Sequence, residues 1–556
     1  MKRIFGVFLA AGGTVALSGA GGCGGDDRSS LGGNADAGKT SSGGDGSFVI
    51  EDDGGRSPRT GSPTTCAGAA ESRSYIGCDY WPTVLANNVW DIFDFAVVVA
   101  NGQDVDAEIT IGGALGAAIK ETVPAGGLKK FYLPWVKELK GKESDSCATA
   151  TPLPGSIIAK NGAYHLESSV PVSVFQFNAL EYKGEGGPPG KDWAACPGNK
   201  ICSNFASPNF GVASGCFSFT NDASLLLPSS AWTGTYRVTG QQGLGNETQG
   251  VGSYFSVVAA SDDTKVTVSL PSLQQALPGT GITGTNALTF TLNHGDVAQI
   301  VAPPGDNHDL SGSLVRADKP VQVLAGTPCS IAGDPKLGVT CDHIEESVFP
   351  AETLGQHYVV APPTSPGGKP VGHVVRFYGN VDGTKLTYAP SKPAGCPATL
   401  SAGQVARCTG TVTSAFEVTG DHEFAVGGFM LSGIYQDPAS DKPKGDPAQT
   451  LMAAVEQFRT KYIFLAPDDY DENWVDIVAP SDATVTLDNA TVNDTGTAIA
   501  NDFVVIRAKL GAGKDGAHTL TATKPVGIQV MGFGAFTSYH YPGGLDLNQI
   551  APTPVK

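Results

Sequence analysis

The sequence predicts an all-β protein of four related β-sandwich-like modules in tandem, stapled by disulfides and preceded by a disordered N-terminal tether. Two patterns carry this prediction. A turn followed by a run of β-branched and aromatic residues occurs four times, and a strand-turn-strand pattern precedes each copy. The composition agrees, because 73 glycines and 37 prolines among 556 residues, with 16% charged residues, are typical of turn-rich β structure.

The first pattern is clearest at 317–326 and returns at 522–534, where Lys-Pro-Val opens an apolar run. Looser copies lie at 168–177 and 420–429. Proline suits the first position of a strand, because its missing N–H leaves no gap in the ladder there. The runs that follow are apolar almost throughout, which indicates strands buried on both faces. We expect each run to be the closing core strand of a module, with proline at its start.

The second pattern occupies 95–111, 254–268, 374–388 and 474–487. Each copy is an apolar strand, an Asp- or Gly-rich turn and a strand that alternates polar and apolar residues, which predicts a β-hairpin with one wet face. The period of roughly 100 residues is too long for a solenoid or propeller blade. Several strands per repeat favour a small β-sandwich.

The repeats and the changes of composition divide the chain into six segments. These are a lipoprotein signal peptide at 1–22, a disordered Gly/Ser/Asp linker at 23–65, and β modules at 66–215, 216–335, 336–445 and 446–556.

The first 22 residues have the features of an export signal. Lys2 and Arg3 form a positive n-region, and a short apolar stretch with small residues leads to Cys23. The residues Ala20–Cys23 resemble a bacterial lipobox, which predicts lipidation of Cys23 and a place at the outer membrane or cell surface. Cleavage by an ordinary signal peptidase after Ala20 would instead give a secreted protein. The polar segment that follows cannot bury enough apolar surface to fold.

Cysteine usage fits an exported chain. Of 11 cysteines, lipidation would use Cys23 and leave ten, an even number that suits a disulfide framework. Three pairs share one spacing, and each bridge would contribute about 3 kcal/mol by the loop-entropy argument; they are Cys66 and Cys78, Cys329 and Cys341, and Cys396 and Cys408. The other four can pair in three ways; they are Cys147, Cys196, Cys202 and Cys216.

Charge and motifs argue against several function classes. A net charge of −18 disfavours nucleic acid and direct adhesion to anionic lipid headgroups. The nine histidines are scattered, and the sequence contains no H-E-x-x-H, G-x-S-x-G or P-loop motif. We therefore expect no enzyme, no cofactor and no metal. A hydrolase with a site assembled from distant residues and a structural envelope spacer remain the alternatives.

Two weaker sites follow from local composition. The densest acidic loop could hold calcium through its oxygens, although its spacing is not that of an EF-hand and a solvated turn is the alternative; its residues are Asp468, Asp469, Asp471 and Glu472. Trp193 lies in a Gly/Pro-rich loop at 184–198 and could stack on a sugar, the alternative being a core tryptophan.

Several phrases together resemble a known family. They are the segments 76–81, 95–101, 172–178 and 217–228 and the Lys-Pro-Val repeats. Over most of 75–545 the chain resembles the IgGFc-binding protein N-terminal domain family, whose bacterial members are predicted lipoproteins with a low-complexity tether. The resemblance implies a binding scaffold over 66–556, and the missing catalytic motifs predict that this adhesion-type scaffold is non-catalytic. Its implied ligand is the Fc part of immunoglobulin, with another extracellular glycoprotein or a polysaccharide as the alternative.

Overall fold

The computed structural model describes residues 63–143, 151, 153–196, 218, 220–247, 250–331, 341–440, 442–511, 513 and 516–555. The predicted signal peptide, Cys23 and nearly all of the linker lie outside these residues. The described chain is mostly strand, with short helices α1 (Cys66–Ser72), α2 (Lys137–Lys140) and α3 (Gly433–Gln436). None of the described helices is long and apolar enough to cross a bilayer.

The strands up to the middle of the chain fall into two groups. The first group is β1 (Gly77–Tyr80), β2 (Phe95–Ala100), β3 (Ala107–Gly113), β4 (Ile119–Val123), β5 (Leu128–Leu133), β6 (Ile157–Ala159), β7 (Tyr164–Phe177) and β8 (Ala223–Leu225). The second group is β9 (Thr233–Arg237), β10 (Tyr254–Ala259), β11 (Thr264–Ser269), β12 (Ala287–Leu292), β13 (Val297–Val301), β14 (Leu314–Ser330) and β15 (Asp342–Ser347).

Two further groups complete the chain. The third group is β16 (His357–Val360), β17 (Val374–Gly379), β18 (Thr384–Ala389), β19 (Thr399–Leu400), β20 (Val405–Arg407), β21 (Phe416–Gly420), β22 (Phe424–Phe429) and β23 (Gln449–Leu451). The fourth group is β24 (Arg459–Leu465), β25 (Glu472–Pro480), β26 (Val485–Leu487), β27 (Ala490–Thr491), β28 (Thr497–Ala498), β29 (Phe503–Leu510), β30 (Ala517–Gly534) and β31 (Thr537–Pro542).

The four groups repeat one topology, and we call them modules 1 to 4. The strand orders are β4-β3-β7-β2-β5 with β1 and β8 on β7, and β12-β11-β14-β10-β13-β6 with β9 and β15 on β14. They continue as the two sheets β16-β21-β18-β19 and β20-β17-β22-β23, and as β27-β26-β30-β25-β29-β28 with β24 and β31 on β30. The predicted class of four related all-β sandwich modules is therefore confirmed, with β6 joining module 2. The residue boundaries proposed for the segments stay a prediction.

The predicted hairpins are wrong, although their strands are right. In module 2, β10 pairs with β13 and β14, whereas β11 pairs with β12 and β14. The turn at 260–263 therefore carries the chain from one sheet of the sandwich to the other. Burial explains this, since β10 is buried at every position while β11 alternates buried and exposed residues. The first belongs to an inner sheet and the second to an outer, half-wet sheet.

The expectation that proline begins the closing strand is also wrong. Pro171, Pro320 and Pro525 lie inside the long strands β7, β14 and β30. Each strand gives its first half to the outer sheet and its second half to the inner sheet, and the register shifts beside the proline. Proline is tolerated at such an irregularity because the ladder is already interrupted. In module 3 the strand is divided into β21 and β22.

A buried tyrosine marks this bend in every module. The hydroxyls of Tyr80, Tyr236 and Tyr358 donate to the carbonyl oxygens of Val172 (2.6 Å), Val321 (2.6 Å) and Phe424 (2.5 Å), and Tyr462 donates in the same way to Val526. In modules 2 to 4 the hydroxyl also accepts the N–H of the residue three positions earlier. These bonds satisfy backbone groups that the bend removes from the ladder.

Disulfides staple three of the loops. They join Cys66 to Cys78, Cys329 to Cys341 and Cys396 to Cys408, with Cα–Cα distances of 5.6, 5.0 and 4.0 Å. Cys196 is disulfide-bonded as well. Cys147, Cys202 and Cys216 lie outside the described residues.

The modules meet through their inner sheets. The short strands β8, β15, β23 and β31 contact one another in a closed cycle, each coming from a different module. Near the end of the chain, Leu547 N–H donates to Arg73 O (2.7 Å) and Tyr75 N–H donates to Leu545 O (3.2 Å). Module 4 thereby also contacts module 1, and one hydrophobic cluster spans both.

Candidate functional site

Module 2 carries two additions to the shared strand set. The connection between its outer strands β11 and β12 runs over 270–286, whereas the equivalent connections are 114–118, 390–398 and 488–489. The second addition is β6, which lies in sequence between two strands of module 1 but pairs with β13 of module 2. A sandwich forms in modules 1, 3 and 4 without a long insertion of this kind, so a role other than folding has to be considered.

A groove of about 1100 Å³ lies between these two additions. One wall comes from Ile157 and Ile158 of β6, and the other from 278–281 of the insertion. Residues of β11 and β12 also line it, among them Lys265 and Thr267. This volume slightly exceeds the range of about 300–1,000 Å³ that is usual for small-molecule pockets.

Ser156 fastens the two walls to each other. Its backbone N–H donates to Pro278 O (3.1 Å), and its hydroxyl donates to Leu277 O (2.6 Å) and accepts the N–H of Val301 (3.0 Å). Gly279 passes so close that a Cβ atom there would lie 2.3 Å from Ser156 O. The insertion therefore sits directly against the chain that leads into β6, and a glycine is required at the contact.

The outer sheet presents hydroxyls and an ammonium group to the groove. Along β11, Val266 points into the core, while Lys265 and Thr267 are exposed. In register with them on β12 lie the exposed Thr291 and Thr289. The alternation that predicts a half-wet strand thus produces a flat polar surface here.

Two lysines and one glutamate line the groove, and one of the lysines is paired. Lys160 lines the groove and pairs with Asp296 at 2.7 Å. Burial opposes ionisation of Asp296, but Lys160 and two backbone N–H donors outweigh it and hold the pKa of that carboxyl below its usual value. Lys265 has no ion pair within the described chain, and Glu138 is the carboxylate that lines the groove.

Leu273 is displayed on the same insertion. Its side chain is 97% exposed and its backbone has φ of 68°. A left-handed conformation costs a non-glycine residue on the order of 1 kcal/mol. The loop is nevertheless fixed, because Gln274 N–H donates to Pro271 O and the Gln274 side chain accepts the N–H of Asp309 (2.9 Å). The fold therefore holds an apolar side chain in water on the insertion that also forms one wall of the groove.

The four carboxylates of the predicted calcium loop are occupied by other protein groups. Lys130 of β5 bonds Asp468 (2.9 Å) and Asp469 (2.6 Å), so the loop joins module 4 to module 1. Asp471 accepts the hydroxyl of Tyr182 (2.7 Å), and Glu472 pairs with two further lysines. No group of three or more His, Cys, Asp or Glu side chains in the described ranges is placed to hold a metal.

Trp193 is a core residue in the structure. It is 4% exposed, and its indole N–H donates to Asp94 at 2.8 Å. Phe93 stacks near its ring at 6.3 Å, and Tyr132 meets it edge-on at 5.2 Å. These contacts use the ring for packing, and the structure offers no open face for a sugar.

The convergence of the inner strands holds a set of buried acids that the sequence analysis missed. Asp222 accepts backbone N–H groups from Glu345 (3.1 Å), Gln449 (3.0 Å) and His540 (3.3 Å), which belong to three different modules. Glu345 in turn pairs with buried His343 at 2.8 Å. We call this cluster the hub; it comprises Asp222, Asp342, His343, Glu345, Glu346 and Asp446. Its hydrogen bonds hold strands of different modules together, and no sequence motif points to them.

Other hub carboxyls lack partners for some oxygens. Asp342 Oδ2, Glu346 Oε2 and Asp446 Oδ1 are buried without a hydrogen-bond partner within the described residues. Burial raises the pKa of Asp222, Asp342, Glu346 and Asp446 well above the usual value, and the proximity of Asp446 and Asp222 adds to the rise at Asp342.

Comparison with known proteins places the groove in context. A family model described as "IgGFc binding protein" matches residues 222–532, which include β11, β12 and the insertion. The human protein named IgGFc-binding protein is 34% identical over 134 residues, which are 24% of this chain and only 2% of the human protein. The crystal structure of a tetra-tandem repeat in the extending region of a large adhesion protein aligns at 12% identity over 84% of this chain and 99% of that one, with a TM-score of 0.08.

Proposed function

The chain belongs to the IgGFc-binding protein family, and from this membership we propose that it is a non-catalytic β scaffold that binds an extracellular protein through the groove of module 2. The observation that carries the proposal is the pair of additions, β6 and the insertion 270–286, which build a groove within and beside the matched region. A large concave site on a rigid β framework suits recognition of a partner.

The first ligand to test is the Fc part of immunoglobulin, because the family and the human relative are named for it. A glycan is the other ligand class. Sugar platforms usually need exposed aromatic faces, and among the large exposed hydrophobic side chains that the structure describes, Tyr435 is the aromatic one, at 41% exposure. Leu273, on the insertion whose residues 278–281 form one wall of the groove, instead favours a protein partner, since exposed apolar groups mark protein interaction sites.

We place the scaffold at the cell envelope, held by a lipid on Cys23 and separated from the membrane by the polar segment behind it. This part of the proposal is supported by the sequence of the first 23 residues. Mass spectrometry of the mature N-terminus should find an acylated Cys23. A mature chain that begins at Gly21 without lipid would identify a secreted protein instead.

Surface plasmon resonance of the full chain over immobilised Fc, with Fab as the reference surface, tests the binding function. Leu273→Asp should weaken Fc binding by about tenfold or more, the loss usual for an apolar anchor. Val105→Asp is the matched control, because Val105 is also exposed, at 58%, but lies on module 1. Equal binding to Fab and Fc, or equal losses in the two variants, would contradict the proposal.

A further inference from the structure

We infer that the groove of module 2 accepts an extended polypeptide segment that carries acidic side chains. This inference rests on the proposed function and adds the chemistry of the bound segment. It follows from three features that meet at the groove: the last strands of the outer and the inner sheet, walls of small or hydroxyl-bearing residues, and lysines on a strongly acidic protein.

The last strands of the outer and the inner sheet of module 2 both lie at the groove. In the described chain β6 is the last strand of the inner sheet and β12 that of the outer sheet, and residues of both strands line the cavity. β6 pairs with β13 through Ile157–Ala159 on one side, and its other side has no strand partner within the described residues. An extended peptide can add to such an edge through its backbone hydrogen bonds.

The walls leave room for a backbone to approach. Gly155, Gly279 and Gly281 line the groove and contribute no side chain. The exposed Thr267 contributes a hydroxyl, which can both donate to and accept from a peptide group, whereas the hydroxyl of Thr289 already pairs with that of Thr283 (2.7 Å). Aromatic residues that would suit a flat ring or a sugar are limited to buried Phe290 among the lining residues.

The charge of the groove selects an acidic segment. Two lysines and one glutamate line it, whereas the whole chain has a net charge of −18. Lys160 already has Asp296 as a partner, while Lys265 is exposed and unpaired within the described residues. A carboxylate of the bound segment can therefore pair with Lys265, and such complementarity sets specificity and association rate more than total affinity.

Module 3 provides an internal control for this lysine. Lys385 occupies the same place on β18 as Lys265 on β11, and both are exposed. The backbone N–H of each donates to an aspartate, Asp318 for Lys265 (2.8 Å) and Asp421 for Lys385 (2.7 Å). Only Lys265 lines the groove. The two positions therefore share a fold environment and differ in the feature under test.

Fluorescence anisotropy with the full chain provides the test. The probes are a labelled eight-residue peptide of alternating valine and glutamate and its valine–lysine counterpart. The acidic peptide should bind more tightly than the basic one, and added salt should weaken it. Lys265→Glu should weaken the acidic peptide by about fivefold or more, the loss of one ion pair plus a repulsion. Lys385→Glu should leave its affinity unchanged.

A steric pair of variants checks the location independently of charge. Thr267→Trp fills the groove, whereas Thr387→Trp places the same bulk at the equivalent exposed position of β18. We expect loss of peptide binding for the first variant alone. Equal binding of the two peptides, or equal effects of the two lysine or the two tryptophan variants, would overturn the inference.

The outcomes also separate this inference from the proposed function. If Fc binds and neither peptide binds nor competes with it, the acidic-segment inference fails while the binding function stands. If the acidic peptide binds with the expected variant pattern and Fc does not bind, the inference stands and the ligand named under the proposed function is wrong.

Discussion

At the scale of single residues, the buried tyrosine at each strand bend carries the repeat. Tyr236 is 1% exposed, and its hydroxyl bonds both Val321 O and Thr233 N–H. The bend needs these bonds because the adjoining proline has no N–H and the register shifts there. The tyrosine hydroxyl thus bonds the backbone groups that the interrupted β-ladder leaves without a partner at the bend.

Removing one hydroxyl should therefore destabilise the fold. Tyr236→Phe would leave the Val321 carbonyl and the Thr233 N–H buried with one partner fewer, at a cost of about 1–3 kcal/mol. Urea unfolding of the full chain measures the change. Tyr435→Phe, at a tyrosine that is 41% exposed, is the control and should change the free energy of unfolding much less. A similar change in both variants would contradict the assigned role.

These tyrosines show what the sequence alone could deliver at this scale. Each of these tyrosines lies on β1, β9, β16 or β24, which are equivalent strands of the four modules, so a finer alignment of the repeats could have found it. The carbonyl that each hydroxyl bonds could not be predicted in the same way, because Tyr358 donates to the carbonyl of Phe424, 66 residues away. The sequence could not give the packing of Trp193 or of the acidic loop at 468–472 for a similar reason, since partners such as Asp94 and Lys130 lie 99 and 338 residues away in the sequence.

At the scale of elements, strand positions were predictable but pairing was not. The strands expected at 254–268 are observed as β10 and β11, so the alternation of residues located them well. The Asp-rich turn between them suggested a hairpin, yet the same turn also connects two sheets. A hairpin forms only if the two strands pair with each other. Here β14 lies between β10 and β11, so β10 joins the fully buried inner sheet and β11 joins the half-exposed outer sheet.

The insertion of module 2 is an element whose position depends on one close contact. Gly279→Ala would place a Cβ atom 2.3 Å from Ser156 O, so the insertion must move away from β6 while the sandwich core is untouched. We expect faster amide hydrogen exchange at 277–283 and 155–158, with protection in β10 and β14 unchanged.

Gly116→Ala is the control for this prediction. Gly116 also lies in a connection between outer strands, and a Cβ atom there would meet nothing within 4 Å. Its exchange pattern should match that of the unmodified chain. Unchanged exchange around Ser156 in Gly279→Ala would show that the contact does not hold the insertion.

At the scale of the whole molecule, the hub explains why four modules form one cycle. Asp222 reaches residues that are 123 and 318 positions away in the sequence, Glu345 and His540. The repeats predict how many modules there are, but the strands that meet, β8, β15, β23 and β31, are short, and the neighbours of each are fixed by the other modules. Such a centre has no local signature, which is why the sequence predicted the modules and not their meeting point.

The hub makes stability depend on pH in a definite direction. Burial raises the pKa of Asp446 and Asp342 well above the usual value, so the folded chain keeps their protons to a higher pH than the unfolded chain does. A carboxyl whose pKa is raised in the folded state contributes stability that is complete below its unfolded-state pKa near 4. This contribution is lost as the pH rises through the folded-state pKa. Buried His373 and His540, with pKa values lowered to about 3, act oppositely, but only below about 6.5.

Above pH 7 the two histidines are neutral in both states, so the carboxyls set the slope. We therefore expect the free energy of unfolding to fall as the pH rises from 7, by about 1.4 kcal/mol per pH unit for each carboxyl that remains protonated in the folded chain. Glu181, whose pKa burial raises to about 8, adds a slope of the same sign. The difference between Asp446→Asn and the unmodified chain isolates the hub, since the amide cannot ionise and the fall should be shallower. Asp104→Asn, at an exposed residue, is the control and should keep the original slope. Urea midpoints that rise with pH, or a pH slope that changes equally in both variants, would show that the buried acids of the hub are ionised in the folded protein.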